Sequence, residues 1–241
     1  MDHFISSLNT TFGDKTSVLT GLEYVVSAQP KPVTFSTSFS LEDQILTHII
    51  FDNNLPIEVF TLDTGRLFPE TYSTWSATLQ KYKRAIKVYY PKTHALENYV
   101  EGHGPNAFYE SLELRKTCCH IRKVEPLQRA IKDKGVWLTG IRAEHSQNRN
   151  QMSHAEFDTE NQILKVHPLL LWSNEEVKTF INAHNIPYNP LHDRGFVSIG
   201  CAPCTRAIKE GEDIRAGRWW WEDNSKKECG LHNHNSPHNK S

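Results

Sequence analysis

Val33-Thr34-Phe35-Ser36-Thr37-Ser38-Phe39-Ser40-Leu41-Glu42-Asp43 is the stretch that decides the fold of this chain. Its first part, Val33 to Ser38, is rich in β-prone residues and follows a helical pattern at Val18–Ala28. Ser40 is placed to cap a second helix, in which apolar residues recur between Ile45 and Ile50. The stretch therefore predicts a strand, a polar turn and a helix in immediate succession.

The rest of the chain repeats this alternation. Further strands are predicted at Ile57–Leu62, Ile86–Tyr90, Val136–Thr139 and Ile163–His167. One helix is predicted to begin near Pro69, with Tyr72, Trp75 and Leu79 facing inward. A second is predicted at Cys118–Lys134, and a third is predicted to begin at Ser173. This alternation predicts an α/β fold with a doubly wound, mostly parallel sheet, whose ligands bind beyond the carboxyl ends of the strands.

Length and charge narrow the class of protein. A chain of 241 residues can bury a sizeable core, and we expect one α/β domain at 1–222 followed by a polar, flexible tail at 223–241. The net charge of -1 leaves no basic field for nucleic acid, and no apolar run is long enough to cross a bilayer. We expect a cytoplasmic protein without a nucleic-acid or membrane partner. Formation of a homo-oligomer is left open by the sequence.

Clustered hydroxyls mark the turn after the first strand as a candidate anion site. Ser36, Ser38, Phe39, Ser40 and Asp43 combine a strand-to-helix turn with free N–H groups at a helix start, although an ordinary capped turn has the same composition. The stretch resembles the modified pyrophosphate loop of the adenine-nucleotide α-hydrolase-like superfamily. Phe39 and Ser40 replace its glycine pair, which suits a nucleotide bearing a sulfate better than hydrolysis of ATP.

Two further strand ends carry polar groups. Asp63, Thr64 and Gly65 follow the second strand, and Arg142 follows the strand that ends at Thr139. In a parallel sheet these positions face the same crevice as the first turn. A plain βα turn and a surface arginine are the alternative interpretations.

Four cysteines form the strongest chemical signal. Cys118 and Cys119 are adjacent, and Cys201 and Cys204 form a C-x-x-C pair, so that their number suits either a zinc ion or an iron–sulfur cluster. Neighbouring helical side chains point about 100° apart, so adjacent thiolates converge poorly on one tetrahedral ion. The cluster is therefore favoured over zinc.

Three segments resemble one family, the assimilatory sulfonucleotide reductases. They are Arg115–Leu127, Cys201–Arg206 and Glu228–His232, and the likeness extends from about Thr34 to His232. The resemblance implies that the four cysteines ligate a 4Fe-4S cluster. It also implies reduction of adenosine 5'-phosphosulfate, the usual substrate of the branch with these cysteines, to sulfite and AMP.

The resemblance also assigns roles within the site. Cys229, set among lysines and a histidine that favour a thiolate, is implied to be the nucleophile, with His232 beside it and Lys123 between the cluster and the substrate. Arg215 and Arg218 are implied to hold the phosphosulfate, and Arg142 to line the nucleotide pocket with the loops named above. Thioredoxin or a glutaredoxin-like dithiol would then release sulfite from S-sulfonated Cys229.

Two alternatives remain. The first is the same reaction on the 3'-phosphorylated nucleotide, which needs one more cationic contact. The second is a nucleotide-binding module stabilised by zinc and without redox activity.

Overall fold

The computed structural model describes residues 2–14, 18–145 and 152–222 of the chain. The expected tail at 223–241 lies outside these ranges, as do Cys229 and His232. The helices of the described part are α1 (Asp2–Gly13), α2 (Val18–Ala28), α3 (Leu41–Asp52), α4 (Pro69–Tyr82), α5 (Thr93–His103), α6 (Leu112–Cys119), α7 (Glu125–Ile131) and α8 (Asn174–Ala183). The strands are β1 (Val33–Ser36), β2 (Ile57–Leu62), β3 (Lys87–Tyr89), β4 (Val136–Leu138), β5 (Ala155–Asp158) and β6 (Ile163–Val166).

The strands form one six-stranded sheet in the order β3-β2-β1-β4-β6-β5. All neighbouring pairs are parallel except β5 and β6 at one edge, which are antiparallel. The chain moves to one side of β1 for β2 and β3 and to the other side for β4, so the strand order reverses between β1 and β4. The predicted doubly wound, mostly parallel fold is confirmed, and this reversal makes the carboxyl ends of β1 and β4 the expected ligand crevice.

Local signals in the sequence explain where the main elements begin. The side chain of Ser40 accepts a hydrogen bond from the backbone N–H of Asp43 and caps α3. Ser173 and Glu176 form a reciprocal capping box at the start of α8. Both helix starts agree with the prediction, because a cap is specified by residues three positions apart.

The buried face of α4 differs from the prediction. Tyr72 and Leu79 are exposed and Trp75 is only partly buried, whereas Thr71, Thr74 and Thr78 face the interior. The hydroxyls of Thr74 and Thr78 donate to the carbonyl oxygens one turn earlier, and Gln44 and Asn189 donate to Thr78 and Thr71. A polar face can be buried here because its hydroxyls are satisfied, a property that hydrophobic periodicity does not report.

The helix predicted at Cys118–Lys134 is three shorter segments. α6 ends at Cys119, a π-helical segment covers His120–Val124, and α7 ends at Ile131. A π-helical turn inserts an extra residue and changes the direction of the side chains around it. The π-helical segment therefore lies between the cysteine pair and Pro126, which belongs to the first turn of α7.

Apolar side chains from both faces of the sheet form the main core. Leu22, Phe35, Ile45, Leu138 and Val166 are fully buried within it. A smaller apolar cluster surrounds the cysteines and includes Trp219. Within the described residues, no helix is long and apolar enough to cross a membrane.

Candidate functional site

A cleft of about 260 Å³ opens at the carboxyl ends of β1 and β4. Its walls come from the turns that follow β1, β2 and β4, from residues 197–200, and from Lys123. The sheet topology places these turns together, as the strand pattern predicted. We call this the switch-point cleft.

The turn after β1 wraps around the carboxylate of Asp43. The backbone N–H and the hydroxyl of Ser38 donate to Asp43 Oδ2 at 2.6 Å and 2.7 Å. Phe39 has a φ of 61°, a left-handed conformation that favours glycine, and its ring stacks on Trp75 at 5.6 Å. Burial raises the pKa of Asp43 to about 6. Asp43 therefore organises the turn from inside, while Ser36, Ser38 and Ser40 line the cleft.

The turn after β4 packs directly against Asp43. A side chain at Gly140 would place its Cβ 2.2 Å from Asp43 Oδ1, so this position has room only for glycine. The preceding residue, Thr139, and the following Ile141 line the cleft. The two turns therefore hold each other in place across the point of strand reversal.

The turn after β2 lies between the cleft and the cysteines. Asp63 accepts hydrogen bonds from the N–H of Gly65 at 2.8 Å and from the hydroxyl of Tyr72 at 2.9 Å. Gly65 has a φ of 69°, which explains the glycine. Thr64 lines the cleft, and its Oγ1 lies 3.3 Å from the sulfur of Cys201. Asp63 and Gly65 thus shape a turn whose central residue contacts both parts of the site.

The four cysteines of the described residues line one small cavity of about 20 Å³, which we call the cysteine pocket. Cys118 and Cys119 end α6, whereas Cys201 precedes and Cys204 ends the 3-10 turn at Ala202–Cys204. Burial and the nearby Cys201 raise the pKa of Cys204 to about 12, against the opposing charges of Lys123 and Arg218. Thiols in this setting stay protonated unless a bound cationic group stabilises the thiolates.

The geometry of the cysteine pocket bears on the kind of metal group it suits. In the described ranges, no three His, Cys, Asp or Glu side chains converge as ligands of a single metal ion. Trp219 is 1% exposed, and its Nε1 has no hydrogen-bond partner among the described residues. Four thiols around a void and a buried N–H donor nearby are groups that fit a metal centre bound through cysteine sulfur.

Arginines surround the cysteine pocket, and the sequence analysis gave them no role. Arg66, Arg115 and Arg122 line it together with Lys123. Arg115 and Arg122 lie three residues before and four residues after Cys118, a spacing that favours one helix face and was the available signal. Arg122 also donates to the backbone oxygen of Thr64, which ties α6 and the π-helical segment to the turn after β2.

Lys123 connects the two cavities. It is half-buried in the π-helical segment and lines both the switch-point cleft and the cysteine pocket. Its charge lowers the pKa of Cys204, as stated above, so its ammonium lies close enough to influence that sulfur. Lys123 therefore lies between the switch-point cleft and the thiols.

Arg142 lies in a different place from the one expected. It is 1% exposed, and its guanidinium pairs with Glu42 at 2.7 Å and with Glu144 at 2.7 Å. It also donates to the backbone oxygen of Trp172 and to Asn174 at the start of α8. Arg142 is absent from the described walls of the cleft, so in this geometry it braces the turn after β4 instead of facing a ligand.

The two arginines expected on the phosphosulfate differ in their surroundings. The guanidinium of Arg218 lies 4.7 Å from the ring centroid of Trp219 and packs against Gly200, which lines the cleft. Arg215 lines neither the described part of the cleft nor that of the cysteine pocket. Arg218 is therefore within the described site, and the structure does not bring Arg215 into it.

Known proteins resemble this chain in sequence and in fold. The model of the phosphoadenosine phosphosulfate reductase domain matches residues 32–207. Adenosine 5'-phosphosulfate reductase of Burkholderia cepacia is 46% identical over 227 residues, which cover 94% of this chain and 91% of that protein. The enzyme of the same name from Allochromatium vinosum is 50% identical over 200 residues, 83% of this chain and 78% of that protein.

A solved structure also matches this chain in fold. The crystal structure of phosphoadenylyl-sulfate reductase from Candida auris, in a phosphate complex, has a TM-score of 0.71 and 28% identity, and covers 85% of this chain and 96% of that one. The family model covers more than half of the chain, and the relatives extend over most of it. The chain belongs to the phosphoadenosine phosphosulfate reductase family, as its motifs indicated.

Proposed function

We propose that this chain reduces adenosine 5'-phosphosulfate to sulfite and AMP in sulfate assimilation. The observation that carries the proposal is the joining of a cleft at the strand-reversal point to a four-cysteine pocket through Lys123 and Thr64. The name shared by the relatives in Burkholderia and Allochromatium supports the same reaction. A nucleotide in the cleft would have its sulfate end directed toward the cysteines.

The charges of the cleft favour the nucleotide without a 3'-phosphate. Among its described wall residues, Lys123 is the one Lys or Arg side chain, whereas Glu42 and Asp43 both line it. Arg142, a buried arginine of the turn after β4, is already paired with Glu42. An additional phosphate dianion would meet carboxylates without a described cation to offset them, which supports adenosine 5'-phosphosulfate over its 3'-phosphorylated form.

Cys118, Cys119, Cys201 and Cys204 are the residues that would hold a 4Fe-4S cluster. The bound cluster would act through its charge and by positioning Lys123 near the sulfate end of the substrate, without a change in the oxidation state of its iron. Around it, Arg66, Arg115 and Arg122 would offset the negative charge of the thiolates. Trp219 would direct its Nε1–H, which lacks a described partner, toward a sulfur acceptor.

The chemistry on the protein begins at Cys229. Its thiolate attacks the sulfur of the phosphosulfate, the bond from sulfur to the bridging oxygen breaks, and AMP leaves with the electron pair. Lys123 and Arg218 would reduce the repulsion between the thiolate and the anionic substrate, with His232 as a further group near Cys229. The product on the protein is an S-sulfonated Cys229.

A dithiol completes the reaction. One thiolate of thioredoxin, or of a glutaredoxin-like protein, attacks the sulfur of Cys229 and expels sulfite, and the second thiol resolves the mixed disulfide. The two electrons that reduce the sulfur come from this dithiol, which becomes a disulfide. A reducing cytoplasmic compartment suits this demand.

Sulfite formation from purified nucleotides tests the proposal. The anaerobically purified protein is supplied with thioredoxin and with either adenosine 5'-phosphosulfate or its 3'-phosphorylated form, and kcat/KM is compared. We expect a preference of at least about tenfold for the former, because one uncompensated charge contact is worth more than 1.4 kcal/mol. A preference for the 3'-phosphorylated nucleotide would overturn the substrate assignment, and a zinc-containing protein without sulfite formation would overturn the reaction.

A further inference from the structure

A fully buried histidine lies behind the wall of the switch-point cleft. Thr139 follows β4 and lines the cleft, and His167 follows the neighbouring parallel strand β6. The backbone N–H of Thr139 donates to the carbonyl of Val166 at 3.0 Å, so the two residues end adjacent strands side by side. The hydroxyl of Thr139 lies 2.7 Å from Nδ1 of His167.

His154 holds the backbone of His167, and Glu156 lies beside its ring. Its backbone N–H donates to the carbonyl of His154 at 2.7 Å, and Nδ1 of His154 lies 2.9 Å from the carbonyl of His167. On the far side of the ring, Glu156 Oε1 lies 3.6 Å from Nε2. The carboxylate favours a proton on Nε2, which leaves Nδ1 as an acceptor for the hydroxyl of Thr139.

We propose that His167 is a positioning residue for ligand binding. By accepting the proton of the Thr139 hydroxyl, it turns the oxygen lone pairs of Thr139 away from the ring. The backbone N–H of Ile141 approaches one of them at 3.4 Å, and Thr139 itself lines the cleft. Thr139 is thereby kept as an acceptor for a hydroxyl or amino group of the nucleoside.

The chemistry of this acceptor complements that of the opposite wall. The turn after β1 lines the opposite wall with the hydroxyls of Ser36 and Ser40, which can donate to anionic oxygen, whereas an acceptor held by His167 suits the sugar or the base. The inference rests on the proposed function, since it requires an adenine nucleotide in the cleft. It assigns to the nucleoside a contact with Thr139 that is oriented by His167, the residue that follows β6. The motifs around the cleft did not implicate this strand.

Binding of AMP to matched variants tests the role of His167. His167→Leu removes the acceptor and Thr139→Val removes the hydroxyl, and each should weaken AMP binding about tenfold, the worth of one hydrogen bond to a neutral group. The double variant should bind no more weakly than either single one, because both changes remove the same contact. His167→Asn places an oxygen near the position of Nδ1 and should restore binding to within about threefold of the parent protein.

Two further variants separate positioning from stability. His48→Leu is the matched control, since His48 is also buried and bonded to a hydroxyl, that of Tyr82 at 3.1 Å, but does not line the described cleft. It should leave AMP binding unchanged. If His167→Leu does not fold, Glu156→Ala at the partly exposed edge strand carries the test, with an expected loss of about threefold from the lost tautomer preference.

The outcomes distinguish the two proposals. Failure of the parent protein to bind AMP would overturn the proposed function. Normal binding by the parent together with unchanged binding by His167→Leu, or by Glu156→Ala, would overturn the positioning role alone. Additive losses in the double variant would also overturn it, because His167 would then act independently of Thr139.

Discussion

The ion pair between Arg115 and Glu222 should be one of the most stabilising contacts near the cysteine pocket. Arg115 donates to the two carboxylate oxygens of Glu222 at 2.9 Å and 2.8 Å, and the two side chains are 1% and 8% exposed. Glu222→Gln leaves a buried guanidinium without its full countercharge. Removing one partner of such a pair costs about 3–5 kcal/mol.

Thermal unfolding measures this loss. At roughly 2–4 °C per kcal/mol for a chain of this size, Glu222→Gln should lower Tm by about 6 °C or more in preparations of equal iron content. The matched control is Glu70→Gln, which breaks a pair with Arg194 at 3.4 Å, where the arginine side chain is 63% exposed. The control should cost less than about 1 kcal/mol. Equal Tm shifts for the two variants would refute the stabilising role of the buried pair.

Three further predictions concern the switch-point cleft. Gly140→Ala should destabilise the protein by about 1–3 kcal/mol because the added Cβ would clash with Asp43. The control Gly102→Ala lies in α5 with open space around it and should stabilise the protein by about 0.5–1 kcal/mol. Urea unfolding measures the free energy of unfolding of both variants. Burial raises the pKa of Asp43 from 3.8 to about 6, so the folded state binds the proton more tightly and this carboxyl costs increasing stability as the pH rises through that window. Asp43→Asn should therefore gain up to about 3 kcal/mol relative to the parent between about pH 4 and pH 7, and a constant difference across the window would contradict the assignment. Lys123→Gln should lower kcat for sulfite formation about a hundredfold with iron content retained, and an unchanged kcat would remove Lys123 from the substrate's surroundings.

Five of the six described strands and two helix starts were predictable because their signals are local, whereas β5 was not predicted. β2 has the predicted bounds, and Ser40 and Ser173 cap the helices they were expected to cap. Each of these features depends on residues within about one helical turn or one strand. The doubly wound, mostly parallel class of the sheet then followed from the alternation of the two element types, whereas the order of the strands came from the structure.

Features that depend on distant partners were not predictable from the sequence. Arg142 was expected to face a ligand, but its partner Glu42 lies 100 positions away in the chain. The buried face of α4 consists of threonines that are satisfied by hydrogen bonds, including one from Gln44. The π-helical segment after Cys119 likewise has no signature in the apolar pattern. In each case the tertiary contact, and not the local sequence, decides the position of the side chain.

The residues of the candidate site were more predictable from the sequence than the contacts between them. The sequence indicated the four cysteines, Lys123 and the three turns, and the structure brings them together around two adjoining cavities. Nothing in the sequence indicated that Thr64 contacts Cys201, or that the ring of His167 contacts the hydroxyl of Thr139. Those contacts join residues far apart in the chain, so they emerge only from the fold.

Intact-protein mass spectrometry tests most directly the central claim that Cys229 attacks the substrate. The anaerobically purified protein is mixed with adenosine 5'-phosphosulfate in the absence of any dithiol, and the adduct is located by peptide mapping. We predict one sulfonate per chain on Cys229, one equivalent of AMP released, and loss of the adduct as sulfite when thioredoxin is added. Release of AMP and sulfite by a Cys229→Ser variant at the rate of the parent protein, or a sulfonate found on another residue, would contradict the proposed reaction.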